Sequence, residues 1–385
     1  MLTKLPEGFT VFYNLQDPRA DGGNKRHSLF DILFITLCAT VAGCETYTEV
    51  EQFADERHDW FRKFLHLENG IPSHDTIGRV LAALDSHSFQ ACLHDWIEHL
   101  CLDLRGQGVH IDGKTLRHSF DTATNRQALH MVSAWSSGLQ VCLGQVATDA
   151  KSNEITAVPM LLELLNIEGA VVTLDAMHCQ KRTVAKIRDR KAEYLITVKK
   201  NQRNLHQAIA SQFAEFGEDN YRSPKCRAHR ETRTSRGRIE ERIVYVAAAP
   251  RSLKETGQWA DLKTIGMVYR HREADPDSQR QTPEPTSDRV TFFISSLPPK
   301  AKLVASYANS HWTVETSLHW TLDVTFTEDS SRVRTGTGPE ILASLRRIAL
   351  TILKRDTSRQ KMSLRLKRKV AGWSQQAMEA IILGS

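Results

Sequence analysis

The chain has 385 residues, a formal charge of +6 and a pI near 8.9, with 41% apolar and 25% charged residues. That length allows a large core and two or three domains, and the mild basicity permits a nucleic-acid partner without demanding one. Seven cysteines at irregular spacing, none in a CxxC pair, argue against a disulfide framework or a zinc knuckle.

The start, MLTKLPEGFT, lacks the apolar core of a signal peptide. The most apolar run, ILFITLCATVAGC at 32–44, lies between Asp31 and Glu45 and is too short to span a bilayer. It predicts a buried helix in an intracellular protein with no membrane partner. Residues 28–105 read as helical throughout, continuing in TYTEVEQFADERHDWFRKFLHL and IPSHDTIGRVLAALDSHSFQACLHDWIEHL. Ser73 is placed to cap a helix whose apolar stripe is Ile77, Val80, Leu81 and Leu84. His74, Thr76 and Arg79 on its polar front make it a candidate helix-turn-helix reader of DNA, although an ordinary packing bundle fits the stretch equally well.

The pattern then changes to strands at 108–113, 128–136 and 139–147, with Ser137-Gly138 turning between the last two. A helix in ITAVPMLLELLNI precedes a buried strand, AVVTLDA at 170–176, and a helix in CQKRTVAKIRDRK precedes YLITVKK at 194–200. This alternation predicts a mixed α/β sheet. Residues 211–300 read as a β-rich insertion with strands in IVYVAAA, LKTIGMVYR and RVTFFISSL, and with an exposed loop at 271–289. Helices return at 311–320 and 339–356, the latter with Pro339 in its first turn.

Asp112 closes GVHID and Asp175 closes VVTLD, so buried strands deliver both carboxylates at their ends. Two adjacent carboxylates repel unless a cation lies between them, and a hard divalent ion takes oxygen ligands. Glu315 in HWTVETSLHW is the candidate third acid. On a helix, His311, Glu315 and His319 would share one stripe, with Trp312 and Leu318 as packing anchors. That stripe could instead bind zinc or simply pack. Neither alternative accounts for the two aspartates.

Nine Lys or Arg stand against two acids over 181–203, and ten against Asp356 alone over 346–369. Each run taken singly is an ordinary solvated face, but two beside an acidic site suggest a phosphate-backbone track. Lys114, Arg117, His178, Lys199, Lys200, His311, His319, Lys367, Arg368 and Lys369 are the candidate DNA contacts.

HIDGKTLR (110–117), VTLDAMHCQ (172–180), YLITVKKNQRNL (194–205), SRGRIEER (235–242) and HWTVETSLHWTLDVTFTEDSSRVR (311–334) together resemble the DDE transposases of the ISAs-type, H-repeat-associated insertion sequences. IPSHDTIGRV resembles that family's associated helical domain. The resemblance implies an RNase H-like core in pieces at 106–210 and 301–385, split by the insertion at 211–300 and preceded by a helical domain at 1–105. It implies Asp112, Asp175 and Glu315 as catalytic metal ligands, using magnesium or manganese to cut double-stranded DNA at element ends. The freed 3′-hydroxyl would then attack target DNA, in a complex that end pairing would make a homo-oligomer. Asn309 and Thr316 depart from the family's usual arginine and asparagine. A nuclease without strand transfer and a decayed DNA-binding remnant are the competing readings.

Overall fold

The computed structural model describes residues 5, 8–20, 25–100, 102–120, 127–148, 154–235, 237–255, 259–276 and 286–384. The N-terminal helices are α1 (Leu29–Ala42), α2 (Tyr47–Asp55), α3 (His58–Phe61), α4 (His74–Ala83) and α5 (Ser86–His99). Then come β1 (Gly108–Thr115), β2 (His130–Ser136), β3 (Val141–Thr148), α6 (Glu154–Leu164), β4 (Val171–Leu174), α7 (Lys181–Asp189), β5 (Glu193–Val198) and α8 (Arg203–Glu218). β6 (Cys226–Ser235), β7 (Arg238–Ala248), α9 (Arg251–Glu255), β8 (Thr264–Ala274) and β9 (Ser287–Ser295) follow. The chain finishes with α10 (Ala301–Ser310), α11 (Trp320–Val324), α12 (Gly338–Arg355), α13 (Leu364–Trp373) and α14 (Gln375–Leu383). It divides into two compact units, one of 1–103, 113–165 and 314–385, the other of 104–112 and 166–313.

In the second unit the strand order is β1-β4-β5-β9-β8-β7-β6. β1, β4 and β5 run parallel, with Ile111 opposite Leu174 and Leu174 opposite Ile196. β9 joins β5 antiparallel and continues into the β8, β7 and β6 ladder, so the predicted β-rich stretch extends the sheet. Val171, Leu195, Val244, Phe293, Leu297 and Val304 form a core that seats α10. Gly266 is required there, since a Cβ would enter the Phe293 ring. The loop expected at 271–289 is shorter than predicted, because β8 runs to Ala274 and β9 starts at Ser287. Paired side chains hide that extension: His271 Nδ1 lies 2.7 Å from Asp288 and Tyr269 Oη donates to the same carboxylate. Part of the predicted loop, residues 277–285, lies outside the described residues.

In the first unit β3 and β2 pair beside the end of β1. Ser28 caps α1 through the Asp31 amide, and Gly43 ends it at a φ of 107°. Every apolar side chain of α1 except the terminal Ala42 is buried, as its composition predicts. The helical run expected over 46–67 is broken into α2, opened by the Thr46/Glu49 capping box, and the short α3. α12 is buried along most of its length and packs on α1, α4, α5, α13 and β3. Among the described residues no single helix is long and apolar enough to cross a membrane; α1 and α2 pass only as a pair bent by 95°.

Candidate active site

In the second unit, Asp112 and Asp175 each directly follow the last parallel pair, Ile111–Leu174; Asp175 lies just past β4, whereas Asp112 does not close its strand as expected, because β1 runs on to Thr115. Asp112 is half-buried, and Asp175 is about half exposed, at 51% of its side chain. Lys199 Nζ lies 3.3 Å from Asp175 Oδ2 and 3.4 Å from Oδ1. Partial burial would raise the Asp175 pKa, but the Ala176 backbone amide, the Lys199 ammonium and His311 outweigh it and hold the carboxyl below its ordinary value. The carboxylate is therefore ionised at neutral pH and already attracts a cation.

Behind it runs a buried chain of polar groups. His110 Nδ1 and His311 Nδ1 each lie 2.7 Å from Thr173 Oγ1, which joins β1, β4 and the end of α10. Burial, with His311 adding to it, pushes the His110 pKa down to about 3. Burial also lowers His311, opposed by Asp175 and aided by His178. Asn201 Nδ2 donates to Ala176 O at 2.7 Å and Gln202 Nε2 to Cys179 O at 2.8 Å, fixing the turn after Asp175. Sequence reasoning passed over Thr173, His110, Asn201 and Gln202. Two of them stand beside Lys199 in the quoted VKKNQ, and alternation along β4 marks Thr173 as a polar group within a buried strand.

In the first unit, Gly113 admits no side chain, since a Cβ would fall within 2.5 Å of Glu154 Oε1 and closer to His130 Nε2. Those two groups form a buried pair at 2.5 Å. Lys114 is 7% exposed and sits 2.7 Å from Asp323, 2.8 Å from Asp329 and 3.4 Å from Glu328. Burial would depress its pKa, but Glu328, Asp323 and Asp329 together raise it. Glu328 also takes Arg347 at 2.8 Å in the interior. Burial would raise Glu328, yet Arg347, Lys114 and Arg346 hold it below its ordinary value. This network fixes the segment after Glu315 to the segment after Asp112.

The helix expected through 311–320 is interrupted. α10 stops at Ser310, His311 is its C-cap, and residues 314–319 form a π-helical turn before α11. The i, i+4, i+8 stripe of His311, Glu315 and His319 therefore does not exist as one α-helical face. π-turns recur at functional sites because they re-aim side chains. Glu315 and Thr316 are exposed on this one, and Leu318 is fully buried. Trp312, expected to pack, is 40% exposed, with the Arg270 guanidinium 5.6 Å from its ring centre. Burial, Arg347 and Lys114 push His319 down to about 3, so it is neutral. Among the described residues no group of three or more His, Cys, Asp or Glu forms a ready metal cluster. The donor set at Asp112 and Asp175 is nevertheless all oxygen, and an ammonium already lies against it, which suits a hard divalent ion.

Several expected DNA contacts are buried or engaged within the protein. Lys114 is held by acids. His178 is 2% exposed, Lys367 4% and Arg368 5%. Lys367 Nζ reaches Asp356 Oδ2 at 2.9 Å and the Leu353 and Asp356 carbonyls, while Arg368 donates to Thr40 O and Thr325 O and covers the Phe326 ring. These cations hold helix ends together. Lys200 and Lys369 are exposed, and Arg117, 78% exposed, leans on Asp329 at 3.2 Å. His74 and Arg79 are exposed at the front of α4, with Thr76 half-buried; His74 Nδ1 lies 2.5 Å from Glu51. Asn309, where the family usually has arginine, accepts from Arg242 Nη1 at 2.7 Å and donates to Glu231 at 3.0 Å. β7 thus supplies a guanidinium at the end of α10.

The order β3-β2-β1 in one unit and parallel β1-β4-β5 in the other defines an RNase H-like core. Residues 77–352 match the Transposase DDE domain family and residues 9–97 the DDE_Tnp_1-associated family, so the chain belongs to the DDE transposases. It is 39% identical over 348 residues, 90% of this chain and 87% of the relative, to "Putative transposase YncI" of Escherichia coli O157:H7. It is 36% identical over 360 residues, 93% of each chain, to "H repeat-associated putative transposase YhhI" of Escherichia coli K12. Among solved structures it is similar to a piggyBac transposase in a synaptic complex with hairpin DNA, with a TM-score of 0.43, 11% identity, and coverage of 97% of this chain and 79% of that one. The protein is a transposase of the insertion-sequence DDE class, an enzyme of phosphoryl transfer on DNA.

Proposed function

We propose that Asp112, Asp175 and Glu315 are the catalytic carboxylates that cut double-stranded DNA at the element ends. The freed 3′-hydroxyl is then joined to target DNA. The observation carrying this reading is the register of β1 on β4, whose last parallel pair, Ile111–Leu174, is followed in each chain segment by one of the two aspartates. Glu315 is assigned by its motif and by its exposure on the π-turn. Magnesium or manganese, held by these oxygens, would activate the attacking hydroxyl and stabilise the leaving oxygen of an in-line displacement.

The chain's own residues prepare that chemistry. The Ala176 amide and Lys199 hold the Asp175 pKa down, and Lys199 would be the group that a divalent ion displaces. Thr173, on the strand that leads into Asp175, holds the His311 ring. The Lys114 network holds the far side of the Glu315 segment. Exposed Lys200 and Lys369 contribute phosphate contacts, and His74, Thr76 and Arg79 read the element ends. End pairing makes the working form a homo-oligomer on DNA.

The experiment is manganese binding by calorimetry alongside magnesium-dependent nicking of a duplex bearing the element ends. Asp112→Asn and Asp175→Asn should each weaken manganese binding and lower nicking by orders of magnitude while leaving duplex affinity nearly unchanged. Parent-like nicking by Asp175→Asn would end this reading.

A further inference from the structure

The first unit contains a cavity of about 720 Å³ between the start of α2, α4, the 330–335 segment and α12. Arg79, Arg332, Arg334 and Arg346 line it, against Glu45 and Asp75, so cations outnumber acids there. Two polar groups facing it are poorly accounted for by the protein. Arg346 is 4% exposed, and among the described residues it makes no hydrogen bond or close ion pair. Glu328 and Glu45 act on Arg346 only through their charge, since their close contacts lie elsewhere: Glu328 bonds Arg347 at 2.8 Å and approaches Lys114 at 3.4 Å, while Glu45 approaches Arg368 at 4.0 Å. The Tyr47 hydroxyl is buried with no hydrogen-bond partner. Gly78 keeps the space in which its ring stands, since a Cβ would come within 3.1 Å of that ring.

A guanidinium offers five donors and no acceptor, and leaving one buried without a partner is costly. A phenol beside it adds a sixth donor. What answers such a set is an acceptor-only, multiply charged ligand with several oxygens. We propose that this cavity binds a phosphoryl group, with Arg346 and Tyr47 at its floor and Arg79, Arg332 and Arg334 around its mouth. The site shares no residue with the carboxylates. Its volume and its basic rim suit a phosphodiester of bound DNA, and free phosphate has the same chemistry.

The test uses the full chain and inorganic phosphate as probe, with chloride at matched ionic strength as control. The parent should show a saturable rise in Tm with phosphate, as expected for a ligand that binds only the folded state. Arg346→Met should lose that rise and Tyr47→Phe should weaken it. Among the described residues Arg346 has no hydrogen bond to lose and Tyr47→Phe removes a single oxygen, and the Tm of each variant in chloride reads its folding independently of phosphate. A second arm measures duplex affinity against salt. A slope lowered by about one in Arg346→Met assigns the phosphoryl group to the DNA backbone, since each phosphate contact contributes about 0.9 to that slope. An unchanged slope with a lost phosphate response assigns it to a free phosphate. A parent indifferent to phosphate, or an Arg346→Met protein that still responds, overturns the proposal. Neither result bears on nicking by the aspartate variants.

Discussion

Substituting Gly113 by alanine tests how closely β1 is fitted behind Asp112. The new Cβ would lie within 2.5 Å of Glu154 Oε1 and nearer still to His130 Nε2. Both side chains are buried, at 3% and 2% exposure, and they are paired at 2.5 Å, so neither is a flexible end that swings into water. Two escapes exist. β1 can shift, at an overpacking cost of about 1–3 kcal/mol. Alternatively the pair opens, at about 3–5 kcal/mol for a buried charge left uncompensated. The cheaper route sets the expectation, a loss of about 2 kcal/mol in urea unfolding followed by tryptophan fluorescence. Adding Glu154→Ala removes one obstructing group, so the double variant should lose less than the sum of the singles by at least about 1 kcal/mol. A Gly113→Ala protein within about 0.5 kcal/mol of the parent, where ordinary surface changes fall, would refute this packing account.

Thr173→Val should destabilise by about 2 kcal/mol, because it leaves two buried imidazole nitrogens without their shared hydroxyl, while Thr173→Ser should stay near the parent; urea unfolding checks both. His110 has its folded pKa near 3, below the unfolded value, so the unfolded chain binds the extra proton and stability falls as pH drops from about 6.5 towards 3. His110→Asn should flatten that limb by about 1.4 kcal/mol per pH unit, read from unfolding free energies across the window. Lys367→Ala should cost about 3–5 kcal/mol by stranding Asp356, with little change in DNA salt dependence, whereas Lys369→Ala should leave stability unchanged and reduce the salt slope by about one.

The strands that carry the aspartates were legible because local signals determine them. The apolar parts of VHID and VVTLD are buried and paired as the pattern suggests, although β1 continues past Asp112 to Thr115. Helix α1 was legible from its apolar run, and α4 from Ser73. What escaped depends on partners distant in the chain. Lys114 looks like any lysine after an aspartate until Asp323, Glu328 and Asp329 close around it. Lys367 and Arg368 share their run with exposed Lys369, and only the Asp356 carboxylate and the Thr40 carbonyl separate their roles. The break between Ser310 and Val314 was illegible for another reason: the helical stripe is drawn from spacing, and a π-turn changes spacing without changing composition.

The central claim is that three carboxylates from separate parts of the chain act as one set, and Glu315 is the member furthest from the sheet in sequence. Its direct test is magnesium-dependent cleavage of a duplex bearing the element ends by Glu315→Gln, with DNA affinity and thermal stability measured on the same preparation. The exposed position of Glu315 predicts unchanged folding, an acid's lack of any favourable phosphate contact predicts unchanged affinity, and the proposed metal-ligand role predicts cleavage lower by orders of magnitude. Cleavage by Glu315→Gln at the parent's rate would contradict the account.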